Sequence, residues 1–317
     1  MNRNTLAAFL RNLVLASLPA ALSSCCQEHN ATFRATVDAA VVESSAVGDG
    51  GALPLDVCTQ VCREGEGKEI RGVYQCRIAT TSDAGIASVD CDERVAKCAF
   101  VAGGRPPAGL RARHDVRAFD PIGVYFAEMA HVESAAVMGF EQLAEELLRF
   151  GAPAHLVSAA VRASQDENRH ARIARAFARR YGAESPSIEI DPAVGRSLED
   201  LAIDNCVEGC VIETYGAVVT TWQAQTASDL VIRRAFAKIA EDELRHAELA
   251  FAIARWSEPL LNNESRSRLL IARDAAVEQL LSALDTPPPR ALAEQVGLPS
   301  PGVAHRLTAR LRKELWS

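Results

Sequence analysis

Two pentads constrain the fold more than any other feature of this chain: DENRH at Asp166–His170 and DELRH at Asp242–His246. Each holds a Glu and a His three residues apart, and residues three apart are neighbours on one face of an α-helix. The flanking pattern is helical. The stripe that carries Glu167 also carries Ala160, Ala163, Ala171 and Ala174, and that of Glu243 carries Phe236, Ile239, Ala240, Ala247 and Ala250. A third acid, Glu133, shares its stripe with Phe126, Met129, Ala130, Ala136, Val137 and Phe140. These glutamates point into apolar faces. A lone carboxylate there is costly and takes up a proton. Several carboxylates and imidazoles converging in a helical core make sense around divalent cations.

Helix ends set the heights of these residues. Asp120–Pro121 reads as an N-cap followed by proline at the first helical position. It predicts a helix to Phe150, stopped by Gly151, and a second from near Pro153 to Gly182. After a crossover over 183–196, a third helix is expected from Ser197 to Ala227 and a fourth from Ser228–Asp229 to about Trp256. A fifth covers roughly Pro259–Leu284, ended by TPPP, and a short sixth covers Gly302–Trp316. Glu133 lies 18 residues before Gly151, and His170 lies 18 after Ala152. Glu208 lies 19 before Ala227, and His246 lies 18 after Ser228. At about 1.5 Å per residue, equal counts from a turn mean equal heights in an antiparallel pair. NCVEGCVIETYG offers two acids, Glu208 and Glu213, and height favours Glu208, with Glu213 as the alternative ligand. Gly209 and the longer spacing suit a π-bulge.

One lone Glu from each of two helices, plus E-x-x-H from each of the other two, resembles the ferritin-like di-iron and di-manganese carboxylate proteins over 119–257. The resemblance implies a mainly α chain: a ferritin-like four-helix bundle with extra C-terminal helices, preceded by a small disulfide-rich module. Its implied metal ligands are Glu133, Glu167, His170, Glu208, Glu243 and His246, holding two Fe ions, with Mn accepted by the same set. The D-E-x-R-H form resembles di-iron monooxygenases and radical-generating oxidases more than storage ferritins. In those relatives the Asp holds a metal-bound histidine, which assigns that role to Asp166 and Asp242, with Arg169 and Arg245 pairing with them. The alternative is ordinary surface pairs three residues apart. Phe126, Met129, Phe140, Tyr215 and Phe236 would line an apolar pocket, Tyr215 being alternatively a plain core tyrosine. The implied activity is an oxidoreductase activating dioxygen or peroxide, with an external electron donor. A ferroxidase or peroxide scavenger, and a non-catalytic structural or binding lipoprotein, are the other readings.

The N-terminus reads as a leader. Arg3 and Arg11 precede an apolar run from Leu13 to Leu22 that is too short to span a bilayer. LSSC, ending at Cys25, resembles a lipoprotein cleavage box whose cysteine receives the lipid, an ordinary cleaved signal being the alternative. The expectation is an exported chain held at a membrane through Cys25, facing the periplasm or the cell surface. Residues 1–24 then lie outside the fold, 25–52 form a flexible tether, 53–103 a cysteine-rich module, 104–118 a linker and 258–317 C-terminal helices. Disulfides persist in such compartments, with Cys26, Cys58, Cys62, Cys76, Cys91, Cys98, Cys206 and Cys210 as candidates. The C-x-x-x-C of Cys58 and Cys62 could hold zinc, but no paired C-x-x-C accompanies it. Cys206 and Cys210 would bridge to each other or to the module. Net charge is −7, from 34 Lys+Arg and 41 Asp+Glu, and gives no basic footprint for nucleic acid.

Overall fold

The computed structural model describes residues 3–17, 28–43, 51–54, 57–58, 61–62, 70–82, 85–96, 104–110, 116, 120–191 and 195–316. The predicted lipidation site Cys25 and the disulfide candidates Cys26 and Cys98 lie outside the described residues. The chain is mainly helical, with a small sheet near the N-terminus that carries two disulfides.

The sheet has strands β1 (Glu28–Asp38), β2 (Ile70–Thr81) and β3 (Ile86–Ala96), antiparallel in the order β1-β3-β2. Cys76 on β2 stands opposite Cys91 on β3. Cys58 and Cys62 lie on one helical turn, where the Cys62 amide donates to the Cys58 carbonyl at 2.9 Å. Cys58 bonds to Cys76 and Cys62 to Cys91, so one helical face is stapled across a cross-strand pair. The bridges close loops of 18 and 29 residues. By restricting the unfolded chain, each contributes about 3 kcal/mol. That matters for a core built from little more than Ala35, Ala39, Val42, Leu53, Val61, Ala87 and Val89 around the cystines. The expected tether over 25–52 is corrected here, since it holds β1 and the short helix α2 (Ala39–Glu43). From Arg34 to Ala39 side chains alternate out and in, with Ala35 and Ala39 buried. Small residues hid this period-two pattern under a linker-like composition.

The helical body begins with α3 (Pro121–Arg149), capped by Asp120, whose carboxylate accepts from the Ile122 amide at 2.8 Å. Gly151 turns the chain at φ +72°, and α4 (Ala154–Arg180) returns along α3. After the crossover, Ser197 and Asp200 form a reciprocal capping box that starts α5 (Leu198–Asp204). This runs directly into a π-helix, Asn205–Glu213, and then α6 (Thr214–Thr226). Asp229 caps α7 (Leu230–Ser257), which packs back on α6 and the π-helix, while α4 packs on α7. Two hairpins of long helices therefore face each other, as the turn signals predicted. A 3-10 turn (Glu258–Leu260), α8 (Asn263–Ala283) and α9 (Pro301–Leu315) follow. A second π-helix, Leu292–Val296, lies between α8 and α9.

Residues 1–24 were expected outside the fold, but in the full chain α1 (Arg3–Ser17) packs on α6, α7 and α9. Leu6, Leu10, Leu13 and Val14, spaced for one helical face, join a buried cluster with Val218, Trp222, Leu307 and Leu311. The apolar run that reads as a leader is also a good amphipathic stripe. Among the described residues, no helix is long and apolar enough to cross a membrane.

Candidate metal centre

The alanine stripes of α4 and α7 keep the two E-x-x-H faces close, and the ligand-type residues meet there. Glu133, Glu167, His170 and Glu243 are all buried, and one donor atom from each lies within 4.8 Å of the others. This cluster could hold a metal ion. His170 Nδ1 stands 3.4 Å from Glu167 Oε2, 3.2 Å from Glu243 Oε1 and 3.8 Å from Glu133 Oε2. His246 Nδ1 stands 3.1 Å from Glu167 Oε1 and 3.8 Å from Glu243 Oε2. Each of Glu167 and Glu243 thus presents one oxygen toward each imidazole. The ring centroids of the two histidines are 6.0 Å apart.

The far ring nitrogens are held crosswise. His170 Nε2 makes a hydrogen bond to Asp242 Oδ2 at 3.0 Å, whereas His246 Nε2 faces Asp166 Oδ2 at 3.4 Å without one. Each aspartate therefore serves the histidine of the other pentad rather than its own. Arg169 bonds Asp166 and reaches Asp242 at 3.2 Å. Arg245 bonds Asp242 and reaches Asp166 at 3.2 Å. Surface pairing and histidine support are thus both true of these residues, since each arginine is half exposed and each aspartate reaches inward.

The electrostatics describe a site short of cations. Burial and the neighbouring Glu167 charge push Glu133 well above the ordinary carboxylate range. Burial works against charging His170 and His246, but the surrounding carboxylates outweigh it and raise both. Burial would raise Asp242, yet His170 and Arg245 hold it low. Asp166 is likewise held low against its burial by His246 and Arg169. Polar atoms converge without meeting as hydrogen bonds: Glu167 Oε2, His170 Nδ1, His246 Nδ1 and both oxygens of Glu213 have no partner. Buried polar atoms are nearly always satisfied, and unsatisfied carboxylate and imidazole atoms in and around one buried cluster fit a divalent ion.

The fourth carboxylate is where the sequence expectation and the structure part. Glu208, favoured by height, is half-buried, and its electrostatic neighbours are Asp204 and Arg105 rather than the cluster. Glu213 is fully buried, and its neighbours include His246, Glu167 and Glu243. Burial pushes Glu213 up to about 8 and Glu208 up to about 7. The expected π distortion is present as the nine-residue segment Asn205–Glu213.

The expected pocket residues divide among three clusters. Phe126, Met129 and Phe236 pack together, with Phe126 4.6 Å from Phe177 and 6.1 Å from Phe236 between ring centroids. Phe140 stands on the other side, its ring 5.0 Å from that of His246. Tyr215 takes the core reading, in a buried cluster with Val211, Val218 and Trp222. Cys206 and Cys210 are free, buried thiols, which corrects the expectation that they bridge. Burial raises Cys206 to about 11, and Cys210 also rises through burial.

Two residues near the site were not anticipated. Tyr125 accepts from Gln223 Nε2 at 2.9 Å and is near enough to Glu133 to feel its charge. Arg105, from the stretch read as a linker, is 2% exposed and lies beside Glu213 and Phe140. Its signal in the sequence was indirect: Gly139 and Gly209 interrupt long helices, where glycine is unfavourable unless another group comes close. Comparison of the chain with family models, curated proteins and solved structures finds no match. The functional reading therefore rests on these residues.

Proposed function

We propose that this chain is a ferritin-like, dinuclear metal protein that acts as a di-iron oxidoreductase on dioxygen or peroxide. The observation that carries this reading is the placement of Glu167 and Glu243 between two imidazoles, one oxygen toward each. A pair of bridging carboxylates supports two ions rather than one. Glu133 would complete the His170 side and Glu213 the His246 side. Four carboxylates balance two divalent cations without help, and the two Asp–Arg pairs around them are neutral as a group. Two hairpins facing each other, with ligands on all four long helical segments, support the four-helix ferritin-like reading.

Iron bound there would supply the electrons and Lewis acidity for reducing dioxygen or peroxide. The chain's own contribution is positional. Asp242 and Asp166 fix the tautomers of His170 and His246 so that Nδ1 faces inward. Phe126, Phe140 and Phe236 exclude water around the carboxylates. Without metal, burial favours the protonated form of Glu213, and an ion bound there would displace that proton. Manganese suits the same ligands. The two disulfides point to an oxidising, exported setting, and with the LSSC box they support a lipoprotein tethered through Cys25. An electron donor would be external.

Metal content tests the reading. Protein reconstituted with ferrous iron should retain about two ions per chain, the number that the bridging geometry implies. Glu167→Ala and Glu243→Ala should lose both. A wild type that retains no metal would overturn the proposal. Dioxygen uptake on ferrous iron alone, with no organic substrate, would assign the same site to iron oxidation instead.

A further inference from the structure

Among the described residues Arg105 is the one buried arginine, and it comes from outside the long helices. Its backbone lies on α3: a Cβ on Gly139 would run into the Arg105 carbonyl, and one on Gly104 would sit 2.7 Å from Val132 Cγ1. The Ala108 amide donates to Gln142 Oε1 at 3.0 Å, fastening the same stretch one helical turn further on. The side chain enters where the π-helix begins. Nη1 donates to Asp204 Oδ2 at 3.1 Å and Nη2 to Asn205 Oδ1 at 3.0 Å. The guanidinium carbon stands 5.8 Å from the centre of the Phe140 ring, whose other neighbour is His246. A Cβ on Gly209 would sit 2.6 Å from Nη2, so glycine there leaves room for the guanidinium.

Asn205 carries the contact inward. Its amide donates to the Ala250 carbonyl of α7 at 2.9 Å, one turn beyond His246. Arg105 thus ties together α3, the start of the π-helix and α7. Its Nε has no partner, and neither does either oxygen of Glu213. A planar fork with five donors can pin two groups and still offer a donor to a third, which a lysine cannot do in the same geometry.

We propose that Arg105 is a positioning residue of the metal centre: the linker carries it in to pin the first turn of the π-helix, and so it sets the stance of Glu213 on the His246 side. This rests on the dinuclear reading above. It makes the two metal positions unequal in their dependence on the linker. The His170 side draws on Glu133, from a regular α-helix that Arg105 touches only through its backbone and Phe140. The His246 side draws on Glu213, from the segment that Arg105 holds.

The test is a titration of the full chain with cobalt(II), read by calorimetry, for wild type, Arg105→Met and Arg105→Lys, with thermal unfolding of each. The wild type should take two equivalents. Arg105→Met should bind the first unchanged and the second about 10–100-fold more weakly, the usual cost of losing a group that orients a ligand. Arg105→Lys, which keeps the charge but loses the fork, should show the same one-sided loss to a smaller degree, and it decides the matter if the methionine variant does not fold. Both equivalents weakening together would make Arg105 merely structural and overturn the proposal. Two wild-type equivalents in both variants would overturn it while leaving the dinuclear reading intact. No cobalt binding by the wild type would overturn both.

Discussion

The two helical hairpins bring the same kinds of side chain inward by different means. In the first, α3 and α4 are regular helices, and Glu133 and His170 meet across them at 3.8 Å. In the second, nine π-helical residues interrupt the corresponding helix, and the carboxylate that comes inward is Glu213. A doubled set of carboxylates and imidazoles does not require equivalent halves. The first half is fixed by helix packing alone, whereas the second depends on a local distortion and on a guanidinium from another part of the chain.

The largest effects expected from this asymmetry are losses of whole metal equivalents. Glu213→Ala should drop one of the two ions proposed for the wild type, as Glu133→Ala should on the opposite side, while Glu208→Ala should keep both. Metal analysis after gel filtration reads the difference directly. Loss of an ion from Glu208→Ala with both retained by Glu213→Ala would restore the assignment made from height and reverse the one made from burial.

Much of this difference was beyond the sequence. Helix ends were legible because Asp120, Ser197 and Asp229 are capping residues, and Gly151 takes a left-handed turn that glycine favours. The pentads were legible because E-x-x-H on an alanine stripe has one sensible orientation. Glu208 and Glu213 were not separable by counting. The ligands of one E-x-x-H already differ in height by most of a turn, so residue counts fix height only that coarsely. Facing depends on helical phase, and the i→i+5 closure of a π-helix shifts phase relative to an α-helical count. Arg105 was hidden for another reason: a short segment between Gly104 and Pro106 has no periodicity from which burial can be read. The same holds for α1, whose apolar stripe serves equally well as a leader or as a packed helix.

A second, smaller effect should follow the crossed support of the histidines. Asp242→Asn should weaken the ion on the His170 side and Asp166→Asn the one on the His246 side, each by roughly 10–100-fold. Combining each with a ligand variant makes the crossing visible. Asp242→Asn should add nothing to the loss in His170→Ala, whereas it should remain additive with His246→Ala. If each aspartate instead couples to the histidine of its own pentad, the crossing is wrong and the pentads act separately.

The smallest effect concerns protons, and it joins the halves again. Without metal, Glu213 holds its proton up to about 8 and Glu208 up to about 7, against an ordinary carboxylate value of 4.5. Between those limits the folded chain keeps protons that the unfolded chain has released, so stability falls as pH rises. His170 and His246, raised above the ordinary imidazole value of 6.5, add the same sign at higher pH. Asp166, Asp242 and Glu167 are held low and contribute only below this window, where their stabilisation is lost as pH falls through the folded values. The metal-free protein should therefore unfold at lower temperature at pH 8 than at pH 5.5, by several degrees at about 2–4 °C per kcal/mol. Glu213→Gln should flatten that slope. Because ions replace these protons, binding should release them and tighten as pH rises, so the melting temperature of the loaded protein should not share the decline. A metal-free protein that gains stability from pH 5.5 to 8 would show that the site is not storing protons in place of cations.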